Sequence, residues 1–247
     1  LLIVILALGL SRKPLSRSME KKALALFENM QYDESFAMFK KAHAWYGKSS
    51  TALLGMTQSL YHLDRFQEAM IFVNQSIQLD SLSKDSYFYR GLLNLKLDDK
   101  PWAIKDFTKV LAIDSLYANA YYHRGVAKAG TSDYIGSVAD YRKAMKLDKE
   151  NIEAYLKSIE ARSAMDDFKG AISDYDQLLT VDLDNDQAYA HRGYLKLNIN
   201  DLDGALSDFN NAVRINPENI DVIYNRGSVY ARKGEFSSAV KDYTQAV

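Results

Sequence analysis

A period of 34 residues runs through this chain without an insertion or a deletion, and it limits the possible folds more than any other feature. Seven blocks follow one another: residues 16-49, 50-83, 84-117, 118-151, 152-185, 186-219 and 220-247. Position 20 of a block is never larger than serine, and its residues are Ser35, Ala69, Ala103, Ser137, Ala171, Ala205 and Ala239. Position 24 is always bulky, and its residues are Phe39, Val73, Phe107, Tyr141, Tyr175, Phe209 and Tyr243. Since each unit of such a repeat buries its core against its neighbours, we expect one elongated stack over residues 16-247.

The apolar residues within a block follow a helical spacing. In the last block Ile223, Gly227 and Tyr230 lie at i, i+4 and i+7, which is one face of a helix. Gly234 follows in a turn, where a left-handed backbone that ends the helix is expected. Pro101 lies where a second helix would begin, a position that tolerates proline. The residues placed as helix N-caps are Asn151, Asn185 and Asn219. Each block is therefore predicted to be a helical hairpin, and the chain to be all-α.

Small residues at two positions predict how the two helices of a hairpin pack. Position 8 is glycine in four blocks, at Gly91, Gly125, Gly193 and Gly227. We expect these glycines to face the small residues of position 20 at close range. The bulky residue at position 24 would then fill the space toward the next block.

The residues of the sixth block resemble a known family. Its pattern of an aromatic, a Gly, an Ala, an aromatic, an Ala and a Pro is Tyr189, Gly193, Ala205, Phe209, Ala212 and Pro217, and it is similar to the signature of the tetratricopeptide repeat. The resemblance covers residues 16-247 and is weaker in the first two blocks. It implies a right-handed superhelical solenoid of antiparallel helix hairpins, in which the first helices line a concave groove that recognises proteins.

The groove positions that the resemblance implies are apolar or aromatic in several blocks. An exposed strip of that kind usually marks an interaction surface. The alternative is that superhelical curvature, or the N-terminal segment, covers the strip. The residues that we expect to line a peptide-binding groove are Tyr61, Phe88, Leu92, Tyr122, His123, Val126, His191, Tyr194 and Tyr224.

A charge pattern at position 23 predicts structural ion pairs. This position is Asp in blocks three to seven, and a basic residue stands at position 7 or 11 of the same block. The predicted pairs are Arg90 with Asp106, Arg124 with Asp140, Arg162 with Asp174, Arg192 with Asp208 and Arg226 with Asp242. The alternative, a row of carboxylates for acid–base chemistry or metal binding, is disfavoured because successive Asp residues lie in different blocks, roughly 10 Å apart.

Motifs for chemistry are missing from the sequence. It contains no phosphate-binding loop, no nucleophile elbow and no H-E-x-x-H motif. With 0 cysteines, thiolate metal sites and disulfides are excluded. The net charge of -1, with acidic and basic residues interleaved, argues against a nucleic-acid surface. We expect no enzyme activity, no cofactor, no metal and no nucleic acid, and a protein or peptide as the partner.

The N-terminal residues 1-15 form an apolar segment followed by a basic linker. Residues 1-10 are apolar apart from Gly9, and this length suits the apolar region of a signal peptide better than a full membrane span of roughly 20 residues. Because the chain lacks an initiator Met, the segment could equally be the end of a membrane anchor, and a buried N-terminal segment is the alternative to both. We expect an extracytoplasmic or membrane-anchored protein, with a cytoplasmic one as the alternative.

Two functional hypotheses remain. The first is a non-catalytic scaffold that binds a peptide or protein segment in the concave groove. The second is a sensory or regulatory arm of a larger multidomain protein, such as a kinase or transferase, whose active domain is outside this chain. Because stacked repeats need a polar cap and Val247 stops at position 28 of a block, we expect the chain to continue or this end to pair with a partner.

Overall fold

The computed structural model describes residues 12–247, and over this range the chain forms fourteen helices and no strand. They are α1 (Arg12–Glu28), α2 (Tyr32–Trp45), α3 (Ser50–His62), α4 (Phe66–Leu79), α5 (Lys84–Lys96), α6 (Lys100–Ile113), α7 (Ala118–Ala129), α8 (Tyr134–Leu147), α9 (Ile152–Ser163), α10 (Phe168–Val181), α11 (Asp186–Asn198), α12 (Leu202–Ile215), α13 (Ile220–Arg232) and α14 (Phe236–Gln245). The predictions made for residues 1-10 lie outside the described residues.

The helices belong to two compact units. The first unit ends at Thr131 and contains α1 to α7, and the second begins at Ser132 and contains α8 to α14. Within each unit every helix packs against the next one along the chain. The predicted fold class, an all-α solenoid of helix hairpins, is confirmed.

One turn geometry recurs at position 15 of every block. The residue there has a positive φ in all seven cases: Met30, Asp64, Asp98, Ser132, Asp166, Asn200 and Gly234. The prediction for Gly234 is thus confirmed, with φ 79°. A residue other than glycine in this left-handed conformation costs about 1–2 kcal/mol. Six of the seven turns keep the conformation although they lack glycine.

Side-chain caps mark where the first and the second helix of a hairpin begin. The backbone N–H of Ala188 donates to Asn185 Oδ1 at 2.8 Å, as predicted for the residue before a first helix. In blocks three to six the second helix begins after an Asp at position 16, and Gly204 N–H donates to Asp201 Oδ1 at 2.9 Å. Each such cap satisfies a backbone donor that the helix leaves open, and it contributes about 1 kcal/mol.

Three of the glycines at position 8, Gly91, Gly193 and Gly227, lie under the rings of position 24, which corrects the predicted packing scheme. A methyl group on Gly91 would approach the Phe107 ring to 2.7 Å, and one on Gly193 would approach the Phe209 ring to 2.9 Å. Position 20 also comes close in the first block, where Ser35 Oγ donates to the Ala23 carbonyl at 2.9 Å. The requirement for glycine therefore comes mainly from the aromatic ring and only partly from the small residue.

Candidate peptide-binding surfaces

Two of the residues predicted to line a groove belong instead to the core of the first unit. Phe88 and Leu92 are 8% and 9% exposed. The rings of Tyr117 and His123 pack edge-on against Phe88, with centroids 5.1 and 5.6 Å away. The prediction that Phe88 and Leu92 are exposed is wrong, because these two rings cover Phe88 and Leu92 belongs to the same buried cluster. The other predicted residues of this unit are half-buried: Tyr61, Tyr122 and Val126.

His123 is held between aromatic rings rather than presented to a ligand. Its ring stacks on Phe107 with centroids 5.8 Å apart and meets Phe88 and Tyr122 edge-on. Burial in these apolar surroundings disfavours the charged imidazolium and lowers the pKa of His123 from 6.5 to about 4. The imidazole is therefore neutral at physiological pH.

We expect the stability of the protein to depend on pH through His123. In the unfolded chain this residue takes up a proton near pH 6.5, whereas in the folded chain it does so only near pH 4. The stabilisation is present above pH 6.5 and is lost as the pH falls toward 4, and it amounts to about 3 kcal/mol. Proton NMR of the imidazole should give a midpoint near 4. A midpoint near the ordinary value would contradict the buried, neutral ring.

A cavity of about 570 Å³ lies between α1 and α3 in the first unit, and the sequence analysis did not predict it. Its floor is Phe39, and Gly55 leaves the ring uncovered, since an added methyl group would approach it to 2.4 Å. Leu24 and Leu54 form apolar walls. Apart from Pro14 and Ser18, the lining residues of α1 and α3 stand at block positions 2, 5, 6 and 9, which are among the positions that the family resemblance assigns to the groove. The signal in the sequence was Gly55, the only glycine at position 6.

The rim of this cavity, here called the α1–α3 cavity, carries charges of both signs. Glu20 is already engaged, since it accepts hydrogen bonds from Ser49 Oγ at 2.7 Å and from Ser16 Oγ at 3.1 Å. Arg17 and Lys21 are exposed, and neither forms a salt bridge within residues 12–247. The two cations can therefore reach a carboxylate of a bound molecule, while the floor accepts an apolar side chain.

The three predicted groove residues of the second unit are more accessible. His191 is exposed and stacks on Tyr175, with centroids 6.4 Å apart. Tyr194 is half-buried, and its hydroxyl accepts a hydrogen bond from Asn225 Nδ2 at 2.8 Å. Tyr224 is 55% exposed and lies 5.2 Å from the Tyr243 ring. These residues present aromatic and polar groups on neighbouring first helices, α11 and α13, but no cavity is described between them.

The predicted ion pairs within each unit lie at hydrogen-bond distance. Arg90 binds Asp106 through Nε–Oδ2 at 2.9 Å and Nη2–Oδ1 at 2.7 Å. Arg192 binds Asp208 through the same atoms, at 2.9 and 2.6 Å. Arg226 binds its Asp242 partner likewise, at 2.7 and 2.8 Å. Each of these carboxylates is buried, so the bidentate arginine supplies the charge and the hydrogen bonds that burial requires.

The fifth block departs from this arrangement. In the fifth block Arg162 Nε binds Asp174 Oδ2 at 2.7 Å, and Ser158 Oγ donates to the same oxygen at 2.6 Å. Arg124 and Asp140 of the fourth block belong to different units, and their pairing stays a prediction.

The arginines at position 7 have a second hydrogen-bond partner, which the sequence analysis did not predict. Arg192 Nη1 also binds Asp176 Oδ1 at 2.7 Å, on the second helix of the preceding block. That residue stands at position 25, and position 25 is a hydrogen-bond acceptor before each of the four blocks that carry Arg at position 7. The arginine–acceptor pairs are Arg90 with Asn74, Arg124 with Thr108, Arg192 with Asp176 and Arg226 with Asn210. Each arginine therefore links two consecutive hairpins.

Within residues 12–247 no group of three or more His, Asp or Glu side chains is placed to hold a metal ion. None of the fourteen helices described has the length and apolar character needed to cross a bilayer.

Family models match two stretches of the chain. One for the tetratricopeptide repeat matches residues 118–151, the same bounds as the fourth block, and one for the TPR repeat matches residues 198–234. The chain contains tetratricopeptide repeats over these two stretches. The other blocks share the period of 34 residues and the turn at position 15.

Solved TPR structures share the fold at low sequence identity. The C-terminal part of a TPR repeat-containing protein from Cytophaga hutchinsonii is 14% identical, with a TM-score of 0.78 over 92% of this chain and 93% of that one. A tetratricopeptide repeat protein from Parabacteroides merdae is 15% identical, with a TM-score of 0.62 over 94% and 91%. YrrB, a TPR protein with an unusual peptide-binding site, is 16% identical, with a TM-score of 0.64 over 76% and 97%. No match was found among the curated proteins.

Proposed function

We propose that this TPR protein is a protein-interaction scaffold that binds a peptide segment in the α1–α3 cavity. The observation that carries the proposal is the cavity of about 570 Å³ with Phe39 as its floor. Its position on the first helices corresponds to the groove that the repeat family implies, and the similarity to YrrB supports peptide binding as a use of this fold.

The lining of the cavity favours one kind of peptide. Leu24, Leu54 and Phe39 would bury an apolar side chain, which is worth about 1.5–3 kcal/mol. Arg17 and Lys21 at the rim would bind a carboxylate close to that side chain, because neither cation has a salt-bridge partner in the described part of the chain. The ligand is therefore a peptide with an apolar anchor followed or preceded by an acidic residue.

We expect a selection from a random peptide display library to enrich such peptides, and their binding to depend on the cavity walls. Leu24→Glu or Leu54→Glu places a charge beside the apolar anchor, so the Kd measured by fluorescence anisotropy should rise by about tenfold or more. Leu82→Glu is the matched control, because Leu82 is exposed in the same unit and does not line the cavity.

Two results would contradict the proposal. Peptides that bind both wall variants as tightly as the wild type do not use the cavity. If Leu82→Glu raises the Kd for the peptide as much as the wall variants do, any added negative charge repels the acidic ligand. Circular dichroism of each variant would establish that the helices are intact.

A further inference from the structure

A second cavity, of about 470 Å³, lies between α8 and α10 in the second unit. Its residues are Arg142, Met145, Lys146, Lys149, Tyr155, Gln177 and Thr180. Tyr155 of α9 is nearly fully buried and lies between the two walls. This α8–α10 cavity is formed mainly by second helices, so it is separate from the first-helix groove positions.

The cavity lies in the fifth block, which lacks the position-7 arginine that the sixth and seventh blocks carry. In the sixth block Arg192 lies over the Tyr189 ring, 5.4 Å from its centroid, and reaches Asp176 on the preceding second helix. Tyr155 is the equivalent of Tyr189, but position 7 of its block is the buried Ser158, which does not line the cavity.

Basic residues at and near position 25 of the fourth block make the cavity positively charged. Position 25, a hydrogen-bond acceptor where an arginine follows, is here Arg142, and Lys146 and Lys149 stand beside it. None of the three forms a salt bridge within residues 12–247, and no carboxylate lines the cavity. The Asp167 carboxylate is near enough for Arg142 to lower its pKa, but it does not line the cavity, so the three exposed cations there favour an anionic ligand.

The spacing of the cations fits an extended acidic chain. Arg142 and Lys146 are one helical turn apart, about 5–6 Å. Alternate residues of an extended peptide point to the same side and are about 7 Å apart. On the other wall the Thr180 hydroxyl donates to the Gln177 carbonyl at 2.7 Å, which leaves its oxygen lone pairs to accept from a peptide N–H. A flat bilayer surface does not enter a concave site of this kind.

We infer that the α8–α10 cavity binds an extended polypeptide segment with carboxylates at alternate positions. The site uses a different unit and a different chemistry from the α1–α3 cavity, so either site can fail without the other. Arg142 supplies a planar guanidinium that suits a carboxylate in two-point contact.

The test uses the full chain and a labelled eight-residue peptide in which Glu alternates with Ser. We expect saturable binding by fluorescence anisotropy that weakens as salt rises, and a Kd at least tenfold higher for the double variant Arg142→Gln/Lys146→Gln. The variant Lys143→Gln is the matched control, because Lys143 is exposed on the same helix but does not line the cavity. Its Kd should stay within twofold of the wild-type value, as should that of Leu24→Glu.

Three results would overturn the inference. One is a rise in Kd for Lys143→Gln as large as that for Arg142→Gln/Lys146→Gln. Another is that a control peptide with Gln in place of Glu binds as tightly as the Glu peptide. The third is binding of phosphatidylserine vesicles through Arg142 and Lys146 in the absence of peptide binding, which would identify a lipid surface as the partner.

Discussion

Replacing Phe107 by Ala is expected to lower the free energy of unfolding of the first unit by about 3–5 kcal/mol. Phe107 is 0% exposed, and its ring lies between Gly91 on one side and His123 on the other. The glycine cannot fill the space that the ring leaves, so the loss combines apolar transfer with a cavity. Urea denaturation followed by circular dichroism measures the change, and hydrogen exchange locates it in α5 to α7.

The same variant should change the titration of His123. Without the Phe107 ring water reaches the imidazole, so the pKa of His123 should move from about 4 toward 6.5. Trp102→Ala is the control, because Trp102 lies on the same helix and is 49% exposed. We expect it to cost less than about 1 kcal/mol and to leave the titration unchanged. If the two variants lowered the free energy of unfolding equally, the position-24 ring would have no special role in the core.

Asp208→Asn is expected to cost about 3 kcal/mol, the lower end of the range for breaking a buried pair. The substitution leaves Arg192 and Lys196 without the carboxylate that both contact, at 2.6 and 2.9 Å. The loss stays near the lower end because Arg192 keeps Asp176 and retains some contact with solvent. Urea denaturation of the full chain measures it.

Asp203→Asn on the same helix is the matched control. This carboxylate is 85% exposed and contacts Lys233 at 2.6 Å, so its removal should cost about 0–1 kcal/mol. If Asp208→Asn left stability unchanged but abolished peptide binding, the buried Asp would be part of a binding site and not of the framework.

Much of the fold follows from the period and from short-range chemistry. The left-handed turn at Gly234 and the cap at Asn185 depend on residues within a few positions of each other, so sequence spacing was sufficient. Met30 adopts the same left-handed turn without any local preference for it. There the packing of the two helices decides the backbone, and only the repeat could have predicted it.

The candidate sites were harder to predict because they depend on what covers a surface. Phe88 stands at a groove position, yet Tyr117 at the end of the same repeat and His123 of the next repeat close over it. Gly55 has the opposite effect, since the absence of a side chain opens the floor above Phe39. Position alone therefore identifies which residues can face a groove, but the sizes of neighbours in adjacent repeats decide which of them do.

Some of the missed signal was present in the sequence. Acceptors precede each arginine at position 7, whereas Lys40 precedes Met56 and Arg142 precedes Ser158. A comparison of position 25 in one repeat with position 7 in the next predicts the hydrogen bonds between repeats. It also predicts that this bond is absent where Ser158 follows Arg142.

The missing arginine at Ser158 also affects how the second unit comes apart. Arg192 and Arg226 each tie a hairpin to the one before it, so opening one hairpin removes a bond from its neighbour. No such tie joins position 7 of α9 to α8, where Arg142 stands at position 25. Cooperativity is therefore weakest at that junction. On gentle heating α8 should fray from the rest of its unit first and become the earliest site of protease cleavage there.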